Sequence, residues 1–389
     1  MPSDSRPLDA RTPGIFGASD TPQRVESEPG DGQAMMQRDR AVDVLRGLAI
    51  VLMITSHVGA RSRVNTLLHL PLWIFALGLF VGLSGFVVGV RARTPQKEGA
   101  RGYLRRAGQL WLVHCVLTLS VLAIRELTGR LSAPSISELG GIVPAVLGVL
   151  ALYVQPLDYM NILPLFIAFF VATPVLIALL QRGRAAACMG VSAALWATSQ
   201  LYPHWSRYTH PTSWPELGAL AAWQFAFVLG VVLGHERPRL DAWLAGRKTA
   251  LVWSVAGVVA AIFVLAQLQR TVLQSFGLRL APQWQWLVSK SEIGPVALVY
   301  MLGLLFLGHQ GLTWIERRHE RNLDWFAPLE TLGRRSLYAF LVHLPLALAA
   351  SAADLNARPG WVQDVCAVAA LCVVYACARY HLLGRYIPS

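Results

Sequence analysis

Three ionisable residues lie within the first long apolar stretch of the chain, where their types and spacing could support chemistry. Residues 38–60 read RDRAVDVLRGLAIVLMITSHVGA and contain Asp43, Arg46 and His57. At 100° per residue, the step from Arg46 to His57 makes three helical turns plus about 20°, so both side chains would share one helix face, about 16 Å apart. A guanidinium can bind a phosphate through two hydrogen bonds, and a neutral imidazole can remove a proton from a hydroxyl. This face therefore suits a ligand with an anionic head near Arg46 and a reactive end at His57.

The same residues also allow a purely structural interpretation. Asp43 lies about 40° from the face shared by Arg46 and His57, near the end of the apolar stretch. There Asp43 and Arg46 could simply pair with each other or extend toward the membrane surface. Because ionisable groups in membrane segments usually face the interior of a helix bundle and mark functional sites, we predict a catalytic role for His57 and ligand binding by Arg46.

The composition excludes a soluble globular enzyme. Of the 389 residues, 54% are hydrophobic and only 14% are charged, whereas about a quarter are charged in an ordinary soluble domain. A net charge of +12 would indicate nucleic-acid binding in a soluble protein. Here the basic residues cluster between apolar runs and indicate membrane topology, so we expect no nucleic-acid partner. The five cysteines all lie in apolar runs, and we expect neither a disulfide framework nor a metal site.

Apolar runs of about spanning length predict an all-α integral membrane protein with about ten transmembrane helices. A shorter run within residues 139–158 predicts a re-entrant or interfacial segment, which could form a wall of a substrate site. With this segment excluded, about twice as many Lys and Arg residues lie on one side as on the other, which predicts that both termini are cytoplasmic. Polar residues 1–38 predict a disordered cytoplasmic tail before a membrane domain over residues 39–389. The apolar runs cover residues 42–60, 70–90, 107–124, 159–180, 186–201, 217–234, 249–267, 294–311, 335–353 and 361–378.

Small and basic residues around the end of the second run are candidates for donor binding. Ser84, Gly85 and Phe86 interrupt this run. Small residues here would either make room for a thin ligand arm beside His57 or allow close packing with the first helix. The densest basic cluster of the chain follows, and its Arg105 and Arg106 are the best placed to bind phosphate. The alternative is that this cluster only orients the protein in the membrane.

Polar residues at the outer ends of later runs are candidates for the acceptor side. Asn161 begins the fourth run, and Trp223 and Gln224 begin the sixth. Aromatic rings with polar neighbours could form a platform for a sugar, or they could belong to the aromatic belt at the membrane interface. His114 and His343 also lie in apolar runs. His114 is expected to be a histidine with satisfied hydrogen bonds, whereas His343 has both an anchoring and a functional interpretation.

These motifs resemble the OpgC-type branch of the transmembrane acyltransferase type 3 superfamily. The superfamily is marked by Arg-x10-His in the first span and a following SGF element, here Arg46 to His57 and the tripeptide that begins at Ser84. The segments RDRAVDVLRGLA, NILPLF, AAWQFAFVLG and LGRRSL, taken in order, are similar to the OpgC-type branch. The resemblance extends from about residue 38 to the last apolar runs and excludes the N-terminal tail.

The resemblance implies transfer of an acyl group from cytoplasmic acyl-CoA to a hydroxyl of an extracytoplasmic carbohydrate. For the OpgC-type branch, a succinyl group is placed on a periplasmic glucan, and an acetyl group is the other candidate. His57 would be the catalytic base and Arg46 would help to hold CoA. Acyl-CoA would be a co-substrate, no cofactor would be bound, and the enzyme would lie among the lipids of the bacterial inner membrane.

The chain departs from the branch at positions where acids are common. Ser56 precedes the histidine, Phe75 and Gly78 stand before the SGF element, and Asn161 stands before ILPLF. Asp43 is therefore the remaining acid that could orient the site or balance its charge, and we include it among the catalytic candidates.

Two other classes of function are compatible with the sequence. A transporter or flippase for a carbohydrate or lipid-linked sugar would use a membrane-embedded His and Arg as a proton or substrate relay. A structural subunit of an envelope polysaccharide complex would tolerate the loss of both Arg46 and His57.

Overall fold

The computed structural model describes residues 39–69, 76–94, 99–129, 131, 133–202, 220–269, 282–289, 292–318 and 322–382. The predicted disordered tail over residues 1–38 lies outside these residues. Within the described ranges the chain is helical and contains no β-strand. The helices are α1 (Arg40–Val58), α2 (Arg63–His69), α3 (Ala76–Arg91), α4 (Gly99–Thr128), α5 (Ile142–Leu150), α6 (Ile162–Gln181), α7 (Ala185–Leu201), α8 (Leu220–His235), α9 (Arg237–Ala245), α10 (Lys248–Leu268), α11 (Pro295–Arg318), α12 (Ala327–Arg334), α13 (Ser336–Ala352) and α14 (Gly360–Tyr380).

Six of the described helices are long and apolar enough to cross a membrane: α1, α4, α6, α10, α11 and α14. A seventh candidate is a pair bent by 79°, formed by residues Asp324–Arg334 and α13. Each of the ten predicted apolar runs contains a helix, which confirms the all-helical membrane architecture. Helix length does not establish ten spans. Helices α3 and α8 have 16 residues and α7 has 17, fewer than the roughly 20 residues of a typical span. The number of spans and the orientation stay predictions.

Helix α1 is the most enclosed of the candidate spans, with 72% of its apolar window buried. It packs against α3, α11, α12, α13 and α14. Glycines allow α12 to approach it closely: a Cβ on Gly47 would overlap the carbonyl of Leu329, and one on Gly333 would overlap the carbonyl of Asp43. Small residues allow this kind of backbone approach between membrane helices. The crossing places the bend between α12 and α13 beside the Asp43–Gly47 turn of α1.

Helices α3 and α8 also pack through glycines. A Cβ on Gly85 of α3 would overlap the carbonyl of Phe227, and one on Gly230 of α8 would overlap the carbonyl of Gly82. The predicted packing role for the SGF region is therefore observed at Gly85, with α8 as the close partner, although α3 also packs against α1.

The segment predicted to be re-entrant or interfacial contains the short helix α5. Its nine residues extend about 14 Å, too short to cross a bilayer core. Ala145 and Val149 pack with Cys115 and Leu122 of α4, while the apolar side chains on the other side of α5 are exposed. The short length agrees with a segment that does not span, and its re-entrant placement stays a prediction.

Candidate functional site

His57 lies beside His343, a histidine 286 residues later in the chain. Nδ1 of His57 and Nε2 of His343 are 3.0 Å apart. The two rings are stacked, with centroids 5.3 Å apart. On its other side, Nδ1 of His343 lies within hydrogen-bonding distance of the carbonyl oxygen of Phe340. Helices α1 and α13 therefore bring two imidazoles and one backbone carbonyl into a chain of two hydrogen bonds.

The hydrogen bonds determine which ring nitrogens carry protons when both histidines are neutral. A carbonyl oxygen only accepts, so Nδ1 of His343 must donate to Phe340 and Nε2 of His343 must accept. Nδ1 of His57 then donates to His343, which leaves the lone pair on Nε2 of His57. The pairing thus sets the tautomer in which His57 can act as a base through Nε2.

Tyr159 completes the surroundings of His57. Its ring lies 5.2 Å from the His57 ring, and its hydroxyl is 3.5 Å from the Ser351 hydroxyl on α13. Tyr159 lies in the 3-10 turn Asp158–Met160, which leads directly into α6. His57 keeps partial exposure whereas His343 is completely buried. Both ring nitrogens of His343 are occupied, by His57 and by the Phe340 carbonyl, so His343 can act only through His57.

Arg46 lies at the other end of the same face of α1. One of its terminal nitrogens donates to the Ser336 hydroxyl at 2.5 Å, and the other lies 3.8 Å from Asp43. Ser336 begins α13, the helix that also carries His343. Arg46 and His57 both contact α13, so they share one face of α1, as the spacing predicts. Their separation is about 16 Å along the helix.

Buried carboxylates hold the arginines around Arg46. Asp43 is 3% exposed and lies between Arg46 and Arg334, with Arg334 4.0 Å away. Glu330, 6% exposed, accepts from both Arg40 and Arg334. Asp43 is about 21 Å from His57 along α1, so its contacts support charge balance at Arg46 and not orientation of His57. The structure thus contains both the ion pair between Asp43 and Arg46 and the helix face that Arg46 shares with His57.

Comparison with known families decides the classification. A family model described as OpgC protein matches residues 38–384. The chain belongs to the OpgC family. Membership in this family indicates a membrane acyltransferase acting on glucans and matches the resemblance carried by the Arg-x10-His pattern. Neither a curated protein nor a solved structure is significantly similar to the chain.

The residues predicted to bind the donor of this OpgC family protein fall into two groups. Ser84 and Phe86 are partly exposed on α3, and the Phe86 ring lies 5.7 Å from the guanidinium of Arg237. Arg105 is exposed and Arg106 partly exposed on α4, which packs mainly along α6 and α5. The structure does not place these two arginines in the cluster around Arg46. Their role in phosphate binding stays a prediction.

The three residues predicted on the acceptor side differ in their contacts. Gln224 is occupied by helix packing, because Ser192 of α7 donates to its side-chain oxygen at 2.7 Å and its nitrogen donates back to the Ser192 carbonyl at 2.9 Å. Trp223 is completely buried on α8. Asn161 is 1% exposed, and neither of its amide atoms has a hydrogen-bond partner within the described ranges. The role of these three residues in acceptor binding stays a prediction.

Sequence reasoning missed two features of the site. His343 was visible as an ionisable residue in an apolar run, but its pairing with His57 joins two distant parts of the chain. The prediction that His114 has satisfied hydrogen bonds is wrong: His114 is completely buried, and neither ring nitrogen has a partner in the part of the chain that the structure describes. Among the described residues, no group of three His, Cys, Asp or Glu side chains could hold a metal ion.

Proposed function

We propose that this protein is an O-acyltransferase of the bacterial inner membrane that uses acyl-CoA from the cytoplasm. It transfers a succinyl or acetyl group to a hydroxyl of a periplasmic glucan or another extracytoplasmic carbohydrate. The observation that carries the proposal is the hydrogen-bonded pair of His57 and His343, 3.0 Å apart, which leaves the lone pair of His57 Nε2 available on the face that also carries Arg46.

In the proposed reaction, His57 acts first as a base and then as an acid. Nε2 of His57 takes the proton of the acceptor hydroxyl while the hydroxyl oxygen attacks the thioester carbonyl carbon. A C–O bond forms, the tetrahedral intermediate collapses, and the C–S bond breaks. The CoA thiolate leaves and takes the proton from Nε2. General base catalysis of this kind contributes about 10²- to 10⁴-fold to a rate.

His343 has a positioning role in this scheme. When His57 becomes an imidazolium, its Nδ1 still donates to Nε2 of His343, and a hydrogen bond from a charged donor is about twice as strong as one between neutral groups. His343 therefore stabilises the charged form of His57 as well as its tautomer. It does not contact the reacting atoms, because Nε2 is paired with His57 and Nδ1 with the carbonyl of Phe340.

The donor is proposed to bind along the shared face of α1. Arg46 binds a phosphate of CoA at one end, and the extended arm of CoA brings the thioester to His57, about 16 Å away. The proposed topology has ten spans with both termini in the cytoplasm, which places the Arg46 end on the side where acyl-CoA is made. The acceptor then enters from the other side.

The proposal is tested with the purified protein and two donors. Succinyl-CoA and acetyl-CoA are offered separately, and thiol release is measured with and without glucan extracted from the bacterial periplasm. We expect thiol release that depends on the glucan for one of the two donors. Movement of the sugar across vesicles without thioester consumption would contradict the proposal and support a transporter.

A further inference from the structure

Among the residues that the structure describes, three polar side chains outside the His57–His343 pair are buried without any hydrogen-bond partner. They are His114 and Thr118 on α4 and Asn161 at the start of α6, each at most 1% exposed. Both ring nitrogens of His114, the hydroxyl of Thr118 and both amide atoms of Asn161 are unpaired. Buried polar groups in folded proteins almost always have a partner, so each exception requires an explanation such as a water or a ligand.

The packing of α4 along α6 places these side chains at the level of His57. The two helices run in opposite directions. Tyr103, near the start of α4, contacts Phe170 in α6, whereas Trp111, about two turns further along α4, donates to the carbonyl of Leu150, which precedes α6 in the chain. His114 lies eleven residues after Tyr103, and Tyr159 lies eleven residues before Phe170. His114 and Tyr159 therefore lie at the same level of the bundle, about 16 Å from the Tyr103–Phe170 contact.

The direction of the α4 side chains agrees with this placement. Tyr103 and His114 are separated by three turns plus about 20°, so they lie on one stripe of α4, and Thr118 follows one turn later. Tyr103 on this stripe contacts α6. His114 and Thr118 thus face the beginning of α6, where the Tyr159 ring contacts His57 and Asn161 follows two residues later.

We infer that His114, Thr118 and Asn161 form a polar wall that binds hydroxyl groups of the carbohydrate acceptor beside His57. A neutral imidazole, a hydroxyl and an amide each supply both a donor and an acceptor, which is the combination that a sugar hydroxyl needs. None of the three carries a fixed charge, whereas the arginine cluster that suits a phosphate surrounds Arg46, about 16 Å from His57 along α1. This inference rests on the proposed function, because it assigns the acceptor side of the same site.

Thr118→Val and His114→Leu test the polar wall with purified protein and glucan extracted from the bacterial periplasm. Each substitution removes hydrogen-bonding atoms and keeps an apolar group of similar size. We expect the KM for glucan to rise about 3- to 10-fold for Thr118→Val, with the KM for acyl-CoA unchanged. The thermal midpoint should stay equal or rise, because an unpaired buried polar group is removed.

Thr173→Val is the matched control. Thr173 is a buried threonine on α6 whose hydroxyl donates to the Phe169 carbonyl at 2.7 Å. Its replacement should lower the thermal midpoint slightly and leave the KM for glucan unchanged. A wild-type KM for glucan in Thr118→Val and His114→Leu, or a change only in the KM for acyl-CoA, would overturn the polar wall.

A binding measurement separates this inference from the proposed function. Calorimetric titration of the protein with the same glucan, without acyl-CoA, reports the acceptor site directly. Glucan binding that Thr118→Val weakens, in a protein that transfers no acyl group from any donor, would support the wall and contradict the transferase. Acyl transfer that is insensitive to both Thr118→Val and His114→Leu would do the reverse, and the absence of both binding and transfer would contradict both.

Discussion

Replacing His343 by leucine removes the acceptor that sets the tautomer of His57. The Nδ1 proton of His57 loses its partner at 3.0 Å, and the Phe340 carbonyl loses its donor. A hydrogen bond to a charged group contributes about 1.5–3 kcal/mol. If this bond is fully developed when His57 is an imidazolium, its loss lowers kcat by about 10- to 150-fold. The KM for acyl-CoA should change little, because Arg46 is untouched.

A double-mutant cycle distinguishes positioning from general destabilisation. His57→Ala should lower kcat by about 10²- to 10⁴-fold, and adding His343→Leu should lower it no further, because residues that act as a unit are not additive. His343→Gln keeps an acceptor near His57 and should restore part of the rate. The assay is glucan-dependent thiol release at saturating acyl-CoA, with the thermal midpoint measured for each variant. Wild-type kcat in His343→Leu, or multiplicative losses in the double variant, would refute the positioning role.

Further predictions concern the Arg46 end of α1. Arg46→Gln should raise the KM for acyl-CoA about 10-fold or more, through the loss of a charged hydrogen bond to phosphate, and an unchanged KM in steady-state kinetics would contradict this role. Gly333→Ala should lower the thermal midpoint, because its Cβ overlaps the Asp43 carbonyl. A Cβ on Gly311 would meet no described atom within 4 Å, so Gly311→Ala should raise the thermal midpoint through the helix propensity of alanine. Equal shifts of the midpoint in the two alanine variants would contradict the close crossing of α1 and α12. Glu330→Gln should lower the thermal midpoint, since two arginines lose a shared carboxylate, and an unchanged midpoint would count against that pairing.

Much of the architecture follows from patterns that are local in the chain. Apolar runs predict where the helices lie, because a backbone in lipid must satisfy its own hydrogen bonds. The step from Arg46 to His57 predicts their shared face, because the rotation per residue is a property of any α-helix. The confirmation is that both side chains contact α13.

The partners of these residues depend on how distant helices pack, which local patterns in the sequence do not reveal. Nothing local to His57 indicates that His343 will be its neighbour, and nothing local to Gly85 indicates that α8 will be the helix against it. The 79° bend before α13 is equally invisible in the LGRRSL segment. For His114, the packed bundle reveals a missing partner instead of an unexpected one: among the described residues, neither of its ring nitrogens has a hydrogen-bond partner.

The most direct test of the account is the ratio of thiol released to acyl ester formed on the glucan. The wild-type protein should release one thiol for each ester formed. His57→Ala should form the ester at least about 10²-fold more slowly while it still folds and inserts into the membrane. Ester formation by His57→Ala at the wild-type rate would contradict the assignment of His57 as the catalytic base and, with it, the central claim.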